Sequence, residues 1–402
     1  MLKGLILLPR LPVSAARGIR AVQMSGTTQL KRPKFLPLED AEKDTNNLSN
    51  GFRFRIVSYN ILAQVYVKSS SFPHSPSACL KWKARSQAIL EVLKSLEADF
   101  LCIQELDEYE NFYKGQMEGT GYSSIYIQRT GQKRDGCGIL YKQGCAELML
   151  KEEIEYNDLV NSVNGMTVCC GNEAYVTLDT KERTIKSTED LPRTNGQDDK
   201  DDPSSPRIRL KRDCVGIMAA FKLNDPSHHI VIVANTHIYW DPEWADVKLA
   251  QAKYLLWRLA QFKALVSDKY SCAPSVIVTG DFNSTPGDKV YLYLSGKSSN
   301  TKPENSIEER PIHLCSLYES IGGEPPFTNC TPGFTGTLDY VFFSPSGYLK
   351  PVGLLELPGP ESPDIVGGLP NHHHPSDHLP IGADFEVITS STVQNDLESL
   401  RI

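Results

Sequence analysis

Short apolar runs that each end on a carboxylate, carboxamide or imidazole recur along this 402-residue chain, and no other feature restricts its fold as tightly. Phe54 to Val57 runs into Ser58-Tyr59-Asn60, and Phe100 to Ile103 into Gln104-Glu105. Ile230 to Ala234 leads to Asn235-Thr236-His237, and Val276 to Thr279 to Gly280-Asp281-Phe282-Asn283. Leu338-Asp339-Tyr340 reads as a fifth strand end, and Ser376-Asp377-His378 precedes the run Leu379 to Val387. Runs of this length and β-branched content predict strands. Strands that finish at one edge of a sheet send their last side chains into one crevice, so the pattern predicts a single polar site.

Helical spacing of Ile89, Val92, Leu93 and Leu96 predicts a helix over 82–96, and Leu249, Ala252, Leu256, Leu259, Phe262 and Val266 predict a second. Ile125 to Ile127, Gly138 to Tyr141 and Val215 to Phe221 add further strands. Strands outnumber helices and often follow one another directly. The expectation is an α/β fold of the α+β kind, with mixed sheets covered by helices, rather than a strict parallel barrel. Two segments read as irregular: 179–206, with thirteen charges among 28 residues, is an exposed insertion, and 351–375 holds six prolines. No run of about 18 apolar residues is present to span a bilayer, so no membrane partner is expected. The ten cysteines form no CxxC pair, which points to a reducing compartment rather than a zinc ribbon or disulfide framework.

The net charge of −7 is unevenly divided. Residues 1–38 carry seven Lys or Arg and no acid, and without them the rest of the chain stands at −14. Residues 1–51 therefore read as a basic disordered leader whose first 38 residues resemble an organellar transit peptide. The alternative is a plain tail, with Met24 a second start. Residues 389–402 read as a C-terminal tail.

Glu105, Asp281, Asp339 and Asp377 would repel one another if crowded, and a divalent cation resolves that conflict. Carboxylate and carboxamide donors without cysteine suit Mg²⁺, or Mn²⁺, better than Zn²⁺. Such a cation beside histidines is equipment for cleaving phosphate esters.

In their order, these six motifs resemble the endonuclease/exonuclease/phosphatase superfamily over residues 52–388. Trp240-Asp-Pro242-Glu-Trp-Ala-Asp-Val-Lys, just after His237, narrows the resemblance to the poly(A) deadenylases of the carbon catabolite repressor 4 type, in a plant-type form without leucine-rich repeats. The resemblance implies a two-sheet β-sandwich flanked by helices. It makes Glu105 the principal Mg²⁺ ligand with Asn60 beside it and Asp377 near. Asp281 orients or deprotonates the attacking water, and Asn283 holds a phosphate oxygen or a second metal. His237 stabilises the pentacovalent phosphate, and His378 contacts the phosphate or the metal, with Asp339 fixing its tautomer. Pro242 and Phe334 match the pair that sandwiches an adenine.

The implied activity is a Mg²⁺-dependent 3′-to-5′ exoribonuclease that removes AMP from the poly(A) 3′ end of mRNA, in cytoplasm and nucleus, or in the mitochondrion or another organelle if the leader acts as a transit peptide. The alternatives are a nocturnin-like 2′-phosphatase of a nicotinamide dinucleotide phosphate and a non-catalytic RNA-binding adaptor. No leucine repeat fits ahead of residue 52, which weighs against membership of a deadenylase complex. Phosphate attraction is expected from Arg129, Lys133 and Arg134 and from Arg207, Arg209, Lys211 and Arg212. Asn235 is a further expected substrate contact, and Arg85 either pairs with a site carboxylate or is a surface charge. His372 to His374 read as solvated loop residues.

Overall fold

The structure, a computed structural model, describes residues 33–38, 51–162, 206–297, 310–345 and 347–388. The leader up to residue 32, nearly all of the acidic insertion and the C-terminal tail lie outside the described residues.

Two mixed sheets pack face to face. One is built from β1 (Phe35–Pro37), β2 (Phe52–Asn60), β3 (Phe100–Gln104), β4 (Tyr122–Gln128), β5 (Gly136–Lys142), β14 (Leu349–Leu355) and β15 (Ile381–Val387), in the order β1-β14-β15-β2-β3-β5-β4. The other is built from β6 (Ala146–Glu155), β7 (Val215–Leu223), β8 (Ile230–His237), β9 (Ser275–Asp281), β10 (Cys315–Ser316) and β13 (Asp339–Phe343), in the order β10-β13-β9-β8-β7-β6. A small hairpin, β11 (Asn329–Thr331) and β12 (Phe334–Gly336), stands apart. Helix α1 (Trp82–Ser95) covers the first sheet and α2 (Ala245–Tyr270) the second.

The layering explains why the strands read as continuous apolar runs. Phe54 and Ile56 point into the core between the sheets, while Val57 and Tyr59 point toward α1. Val231 and Val233 likewise face the other sheet, and Ile230, Ile232 and Ala234 face α2. A strand buried on both faces has no polar side to alternate with.

Register then fixes the site. β8 and β9 run parallel with His237 opposite Asp281, and β13 runs antiparallel to β9 with Asp339 opposite Asp281. Three site residues thus lie side by side on adjacent strands. In the other sheet β2 and β3 run parallel, with Asn60 opposite Gln104 and Glu105 directly beyond it. Asp339 opens β13 rather than closing a strand, reaching the same edge because its strand is antiparallel.

Three elements depart from the sequence reading. Phe35–Pro37, inside the presumed leader, pairs with β14 as an edge strand, and the Arg55 guanidinium stacks 3.6 Å from the Phe35 ring. β14 runs into the segment expected to be irregular, and tolerates Pro351 because its register shifts between Pro351 and Gly353. β6 was not anticipated, since its charged outer positions Glu147, Lys151 and Glu153 mask the alternation of an edge strand.

Asn235, expected at the substrate, is instead fully buried between the sheets. Its Nδ2 donates to the carbonyls of Ile103 and Gly138 at 2.9 and 2.8 Å, and its Oδ1 accepts from Gln104 Nε2 at 2.7 Å. This carboxamide pins the two sheets together just beneath the site. Replacing it with alanine would take this donor from the Ile103 and Gly138 carbonyls, at about 1–3 kcal/mol for each left unsatisfied, while Gln104 Nε2 keeps Ser58 Oγ and the Cys102 carbonyl. Asn235→Ala is expected to lose about 2 kcal/mol or more in urea unfolding, and a midpoint within experimental error of wild type would refute the pin.

Candidate active site

Glu105 and Asp281, at the strand edge, are held by backbone and amide donors. Glu105 sits just past β3 in the left-handed region (φ 52°), where a non-glycine residue is uncommon, and its Oε2 accepts from the Ala63 amide at 2.9 Å. Asp281 Oδ1 accepts from the Asn283 amide at 2.9 Å. Gly280 before it is obligatory, because a Cβ there would lie 2.1 Å from the Thr236 carbonyl oxygen. Asn60 Nδ2 spans both acids, 3.2 Å from Glu105 Oε1 and 3.0 Å from Asp281 Oδ2.

The two histidines converge on the same oxygen. His237 Nε2 is 3.5 Å and His378 Nε2 3.7 Å from Asp281 Oδ2. His378 Nδ1 is 2.7 Å from Asp339 Oδ2, which also accepts from Thr328 Oγ1 at 2.6 Å. The acceptor on Nδ1 fixes the tautomer and leaves Nε2 for the crevice. Hairpin strand β11 secures this arm: Asn329 bridges to His378, and its Nδ2 donates to Asp377 Oδ2 at 3.3 Å.

Electrostatics separate the two imidazoles. Burial lowers the pKa of His237, against the pull of Asp281, and keeps it neutral. Burial opposes charge on His378 too, but Asp339 and Asp281 outweigh it and raise this ring well above the ordinary range. Burial first, and then Asp377 and Asp135, push the Glu105 carboxyl up to about 8. Burial and the neighbouring Asp339 raise Asp281 as well.

Uncompensated acids of this kind fit a divalent cation. Donor atoms of Asp281, Asp339 and His378 lie within 4.8 Å of one another, and Asp339 Oδ1 is buried without a hydrogen-bond partner among the described residues. Of these three, Asp339 and His378 are already engaged with each other. Glu105 and Asp281, bridged only by an amide, are therefore the better pair of ligands, with Asp377 close enough to raise Glu105. Asn60 turns its Nδ2 toward the acids while its Oδ1 accepts from the Leu62 amide at 3.0 Å, so as placed it relieves their repulsion rather than offering a ligand oxygen. Asn283 donates its Nδ2 to the Ile238 carbonyl at 3.0 Å, and Lys248 Nζ holds its own carbonyl at 2.7 Å.

Several expected substrate contacts have other work. Arg85 is buried and donates to the carbonyls of Ile61, Leu62 and Pro375 and to Gln64 Oε1; it ties the Asn60 loop to the Asp377 loop and is neither a surface charge nor a carboxylate partner. Arg129 is spent on the Asp213 and Arg212 carbonyls and lies 3.5 Å from Asp135. Arg209 is engaged bidentately by Asp246. Lys133 lies 6.0 Å above the Tyr66 ring. The histidine tract keeps its solvent exposure, with His372 exposed and His373 and His374 half-buried, although His372 Nδ1 lies 3.0 Å from Cys79 Sγ and His374 Nε2 3.2 Å from Asp364.

Pro242 and Phe334 are both exposed, as a base-stacking pair must be. The Phe334 ring lies over Gly336, where a Cβ would come 2.9 Å from it, and Thr331 holds the Phe334 backbone. Two site residues escaped the sequence reading. Asp135, fully buried, adds to the field on Glu105, and its one signal was an acid opening an apolar strand. Thr328 carried no signal.

Residues 57–378 match the Endonuclease/Exonuclease/phosphatase family. Carbon catabolite repressor protein 4 homolog 4 of Arabidopsis thaliana is 63% identical over 85% of this chain and 79% of that protein. The CCR4-Not complex 3′-5′-exoribonuclease subunit Ccr4 of Debaryomyces hansenii is 29% identical over 86% of this chain, which spans only 40% of that protein's length. The crystal structure of ANGEL2, a 2′,3′-cyclic phosphatase, superposes with a TM-score of 0.63 at 25% identity, covering 89% of this chain and 99% of that one.

The raised groups set a pH dependence. A carboxyl raised by folding prefers the protonated folded form, so Glu105 weakens the metal-free fold as pH rises from about 4.5 through about 8, and the raised Asp281 acts in the same sense above its ordinary range. A raised imidazole acts in the same sense: the contribution of His378 is complete below about pH 6.5 and is lost as pH passes its higher folded value. In chelator, the thermal midpoint is expected to fall between about pH 6 and about pH 8.5, with Mg²⁺ or Mn²⁺ restoring most at the upper end and Glu105→Gln removing part of the slope. A flat or rising midpoint would overturn this account.

Proposed function

The chain belongs to the Endonuclease/Exonuclease/phosphatase family, and we propose that it is a Mg²⁺-dependent 3′-to-5′ exoribonuclease that shortens poly(A) tails with release of AMP. The observation that carries this reading is the convergence of Glu105, Asp281, His237 and the Asp339–His378 pair at one edge. Glu105 and Asp281 would hold a divalent cation, which would supply positive charge against the phosphoryl oxygens and lower the pKa of water.

The rest is the work of the side chains. Asp281, its basicity raised by burial, accepts a proton from the attacking water through Oδ2. His378, charged and oriented by Asp339, presents Nε2–H to the phosphate oxygens as charge builds on them. Neutral His237 donates a hydrogen bond from the opposite strand. Pro242 and Phe334 stack the 3′-terminal adenine, a contact worth about 1–3 kcal/mol.

Purified protein in Mg²⁺ is expected to shorten oligo(A) faster than oligo(C) or oligo(U) of equal length. Glu105→Ala and Asp281→Ala should each lower the rate by at least about a hundredfold while retaining cooperative unfolding. Phe334→Ala should erode the preference for A by about 5- to 100-fold. Equal rates on the three oligomers would refute adenine selection. Phosphate release from a dinucleotide phosphate or a 2′,3′-cyclic end, with oligo(A) intact, would replace the proposal with a phosphatase.

A further inference from the structure

Directly after the site, the chain lays out a group of aromatic rings and guanidinium groups that hydrolysis itself does not use. Trp240, three residues beyond His237, is 63% exposed, although a tryptophan on a surface costs apolar area. Its ring centroid lies 6.1 Å from that of Tyr239, and Tyr239 in turn meets Trp244 edge-on at 5.7 Å. The guanidinium groups of Arg209 and Arg212 each lie 4.0 Å from the Trp244 ring, and Arg212 is 5.4 Å from that of Tyr239.

The two arginines differ in what they have left to give. Arg209 is neutralised by Asp246. Arg212 has no acid within ion-pair distance among the described residues; its Nη1 donates only to the adjoining Lys211 carbonyl, and its Nε is buried without a partner. Asp241 faces its own turn, accepting from the Glu243 amide at 3.0 Å. One cation and one exposed indole therefore both neighbour Tyr239.

We propose that Trp240 and Arg212 form a second nucleotide subsite for single-stranded RNA, with a base stacked on the indole and its phosphate at the guanidinium. The inference rests on the exoribonuclease reading and extends it: the base at Pro242 and Phe334 is the one removed, and the base at Trp240 belongs to the strand that remains. An exposed ring accepts any base face, while a cation stacked on aromatics keeps its charge for a phosphate, the pairing that single-strand binders use. A second subsite beside the first would hold a long tail while its end is trimmed, so it bears on affinity for the polymer more than on the choice of A.

The test measures binding and turnover separately. With Glu105→Ala protein, which cannot consume the probe, fluorescence anisotropy of labelled oligo(A) should weaken about 5- to 100-fold on adding Trp240→Ala and stay within about threefold for Trp240→Phe. Arg212→Gln should weaken binding and reduce the slope of log affinity against log salt by about 0.7, one phosphate's share on a single strand. In the otherwise wild-type enzyme, Trp240→Ala should raise KM for oligo(A). Wild-type affinity and KM in Trp240→Ala, with oligo(A) still shortened, would overturn this inference alone. Failure of the unsubstituted protein to bind or shorten oligo(A) would overturn the exoribonuclease reading and the subsite with it.

Discussion

A buried carboxamide holds the architecture at the level where chemistry begins. Asn235, on one sheet, satisfies two carbonyls and a glutamine amide of the other, two residues below the row of catalytic groups. Apolar packing between sheets is non-directional and tolerates sliding, whereas three buried hydrogen bonds with fixed partners do not. Glu105 leaves the first sheet and Asp281 the second, so the distance between them is set by how the sheets are registered. Asn60 can reach both acids only because that register is fixed.

Around this pin the fold gathers like charges that burial makes costly. Glu105, Asp281, Asp339 and Asp377 gain partial relief from backbone amides, from Asn60 and from His378, yet burial first and neighbouring carboxylates second still raise the carboxyls of Glu105 and Asp281. The two histidines share one carboxylate oxygen but not one fate. His378 has a second carboxylate behind it, and His237 has a buried Nδ1 with no partner among the described residues. A single crevice thereby holds one charged and one neutral imidazole, which lets it donate to a phosphate from two sides without stacking two positive charges.

Much of this was legible in the sequence because doubly buried strands write themselves as apolar runs and a shared edge writes itself as a recurring polar ending. Asn60, Glu105, His237, Asp281, Asp339 and His378 were found by that pattern, and they do meet. What the pattern could not resolve was direction and destination. Asn235 also ends a strand, but its side chain points between the sheets instead of into the crevice. Arg85, Arg129 and Arg209 look alike as basic letters, and only tertiary contacts reveal that one is a buried strut, one caps carbonyls and one is paired. Thr328 and Asp135 matter through neighbours remote in sequence, Asp339 and Glu105, so no local signal announced them.

The short strand Phe35–Pro37 places a boundary on the N-terminal region. It covers the outer edge of β14, supplying Leu36 and Phe35 as register partners to Leu354 and Leu355. Shortening that left the chain beginning before residue 33 would keep this cover, while a cut nearer to residue 51 would bare a row of backbone donors and acceptors on β14. Bare edges recruit strands from other molecules. The sheet itself thus limits how far any protease, targeting step or expression design can trim this protein before its sheet edge becomes a template for self-association.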